Sequence, residues 1–129
     1  MRLKNVLLVV KDIEASKKFY YDIFGLQVVT DFGRNVILTE GLVLQERQLW
    51  EEFVDKEVIP GGNAMELYFE DNDLDAFAKK LEASPYEIQY VNRLMEHDWG
   101  QRVIRFYDPD MHLIEIGESI EYVTREQNK

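Results

Sequence analysis

An internal repeat constrains the fold of this chain more than any other feature. A shift of 61 residues pairs Asp12 with Asp73, Ala15 with Ala76 and Lys18 with Lys79, and lays Val6 and Leu8 on Leu67 and Phe69. A shift of 67 sets Gly33 on Gly100, Val36 on Val103 and Ile37 on Ile104, and a shift of 70 sets Leu44 on Ile114. The matches keep their order and the shift grows only where loops lengthen, which predicts two copies of one supersecondary unit.

Each copy reads as strand, helix and three strands. Val6–Val10 is a β-branched and leucine run. Asp12 then caps a helix whose apolar positions, Ile13, Phe19, Tyr20, Ile23 and Phe24, follow the 3.6-residue period until Gly25 ends it. Leu26–Thr30, Val36–Thr39 and Leu42–Gln45 form an antiparallel meander, and Leu49, Trp50 and Phe53 place a short helix within Glu46–Glu57. That helix is expected to pack on the core, with a lid or dimer surface as the alternative. Pro60-Gly61-Gly62-Asn63 is the linker. In the second copy, Glu66–Glu70 is a strand, Asp73 caps a helix carrying Leu74, Phe77, Ala78 and Leu81, and Ser84-Pro85 closes it. Strands follow at Glu87–Val91, Gln101–Tyr107 and Leu113–Ile116, the last two joined through Asp108-Pro109-Asp110. The expected class is α+β, with βαβββ modules at about 1–59 and 64–120, a linker at about 60–63 and a polar tail at 121–129, frayed from Thr124.

Composition narrows the function. The 129 residues carry 15 basic and 25 acidic side chains, a formal net charge of −10, which argues against nucleic acid and anionic membranes as partners. With no cysteine, thiolate metal ligands, disulfides and a catalytic thiol are all excluded. The longest apolar run near the start, Val6–Val10, is too short for a signal segment or a membrane span, so a cytoplasmic protein is expected.

The repeat also singles out polar residues. Asn5 falls on Glu66 at the first strands and Gln45 on Glu115 at the last strands. Alternation puts Asn5 with Leu7 and Val9, and Glu66 with Tyr68, on the face away from the helices. If the sheets curl into a half-barrel, all four oxygen-bearing side chains face one concavity, where a buried carboxylate needs a cation or hydrogen-bond donors. Alternatively Asn5 and Glu66 are strand-end residues in water and only Glu115 is buried.

Leu3-Lys4-Asn5-Val6, Val9-Val10-Lys11-Asp12-Ile13, Ser16, Phe19-Tyr20 and Phe24-Gly25-Leu26 resemble the vicinal oxygen chelate superfamily. Trp99-Gly100-Gln101-Arg102-Val103 and Phe106-Tyr107-Asp108-Pro109-Asp110-Met111-His112-Leu113-Ile114-Glu115-Ile116 extend the resemblance across the second copy. This superfamily includes glyoxalase I, methylmalonyl-CoA epimerase, extradiol dioxygenases and the fosfomycin- and bleomycin-resistance proteins. The resemblance implies the half-barrel of paired βαβββ modules and a homodimer. It implies metal positions at Asn5, Gln45, Glu66 and Glu115, with Glu115 and Glu66 as acid/base candidates. The chain departs from the usual pattern at Asn5 and Glu66, where an imidazole is common. An all-oxygen set suits magnesium, calcium or manganese weakly, suits zinc or nickel poorly, and disfavours iron-dependent oxygen chemistry.

A five-residue loop over Asp108–His112 would set Arg105 opposite Glu115, and a four-residue loop would turn Arg102 and Phe106 inward instead. The family pattern favours the first register. Arg105 then replaces a metal or anchors an anionic ligand, and the alternative is an exposed strand arginine. Ligand contacts are expected from Arg105, Tyr68, Trp99 and Tyr107, although simple packing also suits Trp99. His112, in the turn, is read as structural or exposed. His97 matches no ligand position but precedes a strand bordering the cavity. Two functions follow: a lyase or isomerase acting beside a carbonyl, or a metal-free binding protein of the bleomycin-resistance kind that sequesters a cationic small molecule.

Overall fold

Asp12 and Asp73 start their helices by the same device, each carboxylate accepting from the backbone N–H three residues on, at 3.1 Å. The structure, a computed structural model, describes residues 1–119, so the tail expected to fray from Thr124 lies outside the described residues. The chain divides into two compact units, Met1–Pro60 and one starting at Gly61.

The first unit contains β1 (Val6–Val10), α1 (Ile13–Phe24), β2 (Val28–Asp31), β3 (Asn35–Leu38), β4 (Leu42–Glu46) and α2 (Arg47–Val54). Its sheet runs β1-β4-β3-β2, with β1 parallel to β4 and the remaining pairs antiparallel. The second unit contains β5 (Glu66–Glu70), α3 (Leu74–Ala83), β6 (Gln89–Glu96), β7 (Arg102–Tyr107) and β8 (Leu113–Gly117), in the order β5-β8-β7-β6. The expected α+β class is observed as two four-stranded mixed sheets with three α-helices among the described residues.

Alternation along the strands sorts core from site. In the first unit Leu8, Leu44 and Val36 lie side by side in the ladder and are buried. In the second, Phe69, Ile116 and Ile104 form the corresponding row, and α3 covers this face through Phe77 on Phe106. Burying such a row stabilises each unit by about 1.5–3 kcal/mol per large side chain.

Three features depart most from the sequence reading. Leu26 closes the turn that follows α1, its N–H donating to the Tyr20 carbonyl after Gly25 turns left-handed at φ 71°, so β2 starts at Val28. β6 runs to Glu96 rather than stopping at Val91, because Asn92 and Arg93 extend the alternation of an edge strand with two register shifts. The helix predicted from Leu49, Trp50 and Phe53 forms, but it buries none of its residues and Phe53 is exposed. No helix among the described residues is long and apolar enough to cross a membrane.

The loop between β7 and β8 has five residues and sets Arg105 opposite Glu115. Asp108 organises it: one carboxylate oxygen accepts from the backbone N–H groups of Asp110 and His112 at 2.9 Å, and the other meets His112 Nδ1 at 2.8 Å. Burial works against the charged imidazole, but the Asp108 hydrogen bond and charge outweigh it and hold the His112 pKa above its ordinary value. A folded pKa above the unfolded one means that this stabilisation is complete below about pH 6.5 and fades as pH rises through the folded value. Asp108→Asn should therefore cost about 1–2 kcal/mol more at about pH 5.5 than at about pH 9. Urea unfolding of both proteins at the two pH values measures this, and an equal loss at both would exclude it.

Candidate functional site

Opposite α3, the second sheet carries one continuous polar row. Tyr68 on β5 pairs with Glu115 on β8, Glu115 with Arg105 on β7, and Arg105 with Asn92 on β6. Arg105 Nη2 lies 2.6 Å from Glu115 Oε1, with side-chain exposures of 25% and 11%. Nη1 donates to Asn92 Oδ1 at 3.2 Å, and Nη2 also lies 3.1 Å from His97 Nε2. A guanidinium only donates, so His97 Nε2 is the acceptor in this contact.

His97 stacks on Trp99, with ring centroids 4.1 Å apart and planes at 16°. Trp99 Nε1 donates to Gln101 Oε1 at 3.1 Å, and Gln101 Nε2 donates to the Tyr68 hydroxyl at 2.8 Å. Side chains thus link Arg105 through His97, Trp99 and Gln101 to Tyr68, which lies beside Glu115. Tyr107 donates instead to Asn63 Oδ1, which follows the Gly61-Gly62 turn. The sequence reading had not assigned Asn92 or Gln101 to this site. The register shift between Tyr90 and Asn92 breaks the alternation along β6 that would have marked Asn92, and no spacing rule points to Gln101.

Glu66 lies two residues before Tyr68 on the same face of β5 and forms no ion pair among the described residues. Burial and then the Glu115 charge push its carboxyl above the ordinary value, while Arg105 pulls the other way. Burial likewise raises the Tyr68 phenol; the Gln101 hydrogen bond opposes it, and Glu70, Glu115 and Glu66 add to it.

In the first unit Gln45 is buried and its amide is fully engaged. Oε1 accepts from Asn35 at 2.8 Å, and Nε2 faces the carbonyls of Arg34 and Glu46. Gln45 lies opposite Val9, four residues beyond Asn5 and so about 13 Å along the strand, whereas Glu115 lies opposite Tyr68, only two beyond Glu66. The ladder counterpart of Glu115 is therefore Val43, opposite Leu7, which corrects the pairing of Gln45 with Glu115. Residues 43 and 45 share a face, so alternation could not separate them.

These donors do not fit a metal of the kind the fold family uses. Arg105 already neutralises Glu115, the Gln45 carbonyl oxygen is spent on Asn35, and an apolar side chain stands at the Val43 position. Among the described residues, no three His, Asp or Glu side chains are grouped as ligands.

The family of the Glyoxalase-like domain matches residues 3–121. A protein of unknown function from Agrobacterium tumefaciens is similar at 39% identity and TM-score 0.79, covering 93% of this chain and 95% of that one. A glyoxalase/bleomycin resistance protein/dioxygenase from Nocardioides is similar at 22% identity and TM-score 0.76, covering 94% and 85%. A lactoylglutathione lyase from Agrobacterium tumefaciens is similar at 22% identity and TM-score 0.72, covering 94% and 96%. The last two likenesses concern the fold alone. No curated protein matches the chain.

Removing Arg105 leaves Glu115 buried without its countercharge. Arg105→Met should cost about 1–3 kcal/mol, less than a fully buried pair because the guanidinium is partly solvated, and adding Glu115→Gln should recover part of the loss. Urea unfolding of the single and double variants checks this; equal stability of Arg105→Met and the parent would mean that the pair contributes nothing.

Proposed function

Since the chain belongs to the glyoxalase-like domain family, we propose that it is a metal-independent binding protein of that family, taking a flat organic molecule on the face of the second sheet opposite α3. The Arg105–Glu115 ion pair carries this reading. It occupies the carboxylate that a metal would need, and it cancels the cation of the row that an anionic ligand would seek. What remains is Glu66 and Glu70, both without an ion-pair partner among the described residues, and the half-open rings of Tyr68 and Trp99. Carboxylates beside open aromatic faces favour a planar ligand bearing a positive charge.

A lyase or isomerase acting beside a carbonyl is the second reading. The raised carboxyl of Glu66 favours it, since such a group accepts a proton more readily than an ordinary glutamate.

Titration calorimetry on chelator-treated protein separates the two. Proflavine, a planar aromatic cation, should bind equally with and without added zinc, and Glu66→Gln should weaken it about tenfold. The planar anion 2-naphthoate should not bind. Binding of 2-naphthoate that Arg105→Met abolishes, or a requirement for zinc, would overturn the proposal. Lactoylglutathione lyase activity in the chelator-treated protein, lost in Glu66→Gln, would establish the second reading instead.

The protein is also proposed to act as a homodimer. Exposed Phe32, Phe53 and Ile59 support this, being large apolar side chains that a second copy would cover. Sedimentation should give twice the monomer mass at micromolar concentration, and a monomer there would exclude it.

A further inference from the structure

Gln101 is 7% exposed, and every polar atom of its amide is engaged. Oε1 accepts from the indole of Trp99 at 3.1 Å; Nε2 donates to the Tyr68 hydroxyl at 2.8 Å and to the Glu118 carbonyl at 2.9 Å. Its orientation is dictated by its partners, because an indole N–H only donates and a carbonyl only accepts. Gly117 provides the room. A Cβ there would stand 2.5 Å from the Tyr68 hydroxyl and 2.9 Å from Gln101 Nε2, so only glycine lets the phenol and the amide lie over β8.

The two rings so joined remain open, Trp99 at 60% and Tyr68 at 40% exposure. Most side-chain hydrogen bonds go to backbone or to water. Here the carbonyl goes to a ring that gains little burial from the contact, while the His97 stack holds the same ring from another side. Fixing an exposed ring in advance removes the cost of ordering that side chain when a ligand binds.

We infer that Gln101 is a positioning residue: it fixes Trp99 and Tyr68 relative to one another, and Gly117 makes that placement possible. The inference rests on the ligand-binding reading above and deepens it. Selection for a flat molecule then depends on a side chain that does not itself meet the ligand.

The chain has two tryptophans, so a Trp50→Phe background leaves Trp99 as the sole indole. Gln101→Met keeps the volume and removes all three hydrogen bonds. Gln101→Glu keeps the acceptor for Trp99 and loses both donors. In that background the near-ultraviolet circular dichroism of the indole should persist in Gln101→Glu and fall at least about threefold in Gln101→Met, with proflavine affinity down about threefold and tenfold respectively. Gly117→Ala should also weaken proflavine by displacing Tyr68. A folded Gln101→Met with the parent's indole signal would overturn the inference, as would a lost signal with unchanged proflavine affinity. Should Gln101→Met not fold, Gln101→Glu and Gly117→Ala decide, and parent-level proflavine affinity in both overturns it. If the parent binds no proflavine, the ligand-binding reading fails, while the indole signal of Gln101→Met still tests the positioning role.

Discussion

The charged pair Arg105–Glu115 is the interaction on which the site depends. It exists because a five-residue loop, tied by Asp108, sets the register of β7 and β8. A loop one residue shorter would move every β7 side chain to the other face. Once Arg105 faces Glu115, the same nitrogen, Nη2, also meets His97, and His97 in turn backs Trp99. An ion pair at this depth offsets its own desolvation only when the remaining donors are also satisfied. Asn92 and His97 meet that condition, and they thereby extend the pair into a network that reaches the surface rings.

Local signals in the sequence proved the most legible. Asp12, Asp73 and Gly25 each act through a few neighbouring residues, so the helix ends could be read directly. The placement of Arg105 was legible through loop length and parity. Beyond that the sequence is silent for physical reasons. Strand β6 is an edge strand with irregular pairing, and its polar residues look like the end of a strand when read in isolation. Gln45 and Val43 have the same parity, and only the ladder separates them. Gln101 is a neutral amide next to a loop, with no periodicity to mark it, and its importance comes from partners 2 and 33 positions away.

Charge decides what such a site can hold. At an effective dielectric near 20, two unit charges about 4 Å apart interact by about 4 kcal/mol, so a cation placed beside Glu115 would meet Arg105 at comparable cost. The carboxylate is therefore a poor metal ligand even though its residue type is suitable. Glu66 differs because Arg105 opposes only part of the burial and repulsion that raise its pKa. It lies two residues before Tyr68 on the same face of β5, exposed and without an ion pair among the described residues.

The two copies diverge on one face only. Row for row, Leu8, Leu44 and Val36 in the first sheet correspond to Phe69, Ile116 and Ile104 in the second, apolar in both. On the opposite face, Leu7, Val43, Ile37 and Thr30 correspond to Tyr68, Glu115, Arg105 and Asn92. Packing holds the first set to apolar residues, since a polar side chain there would lose its hydration without gaining a partner. In the second set the polar side chains supply one another's partners, and among these positions only the second copy carries charge. The charged network of the second sheet takes no side chain from the first copy's row. The repeat that makes the fold recognisable thus keeps the apolar rows alike, and the charged network lies on the face where the copies differ.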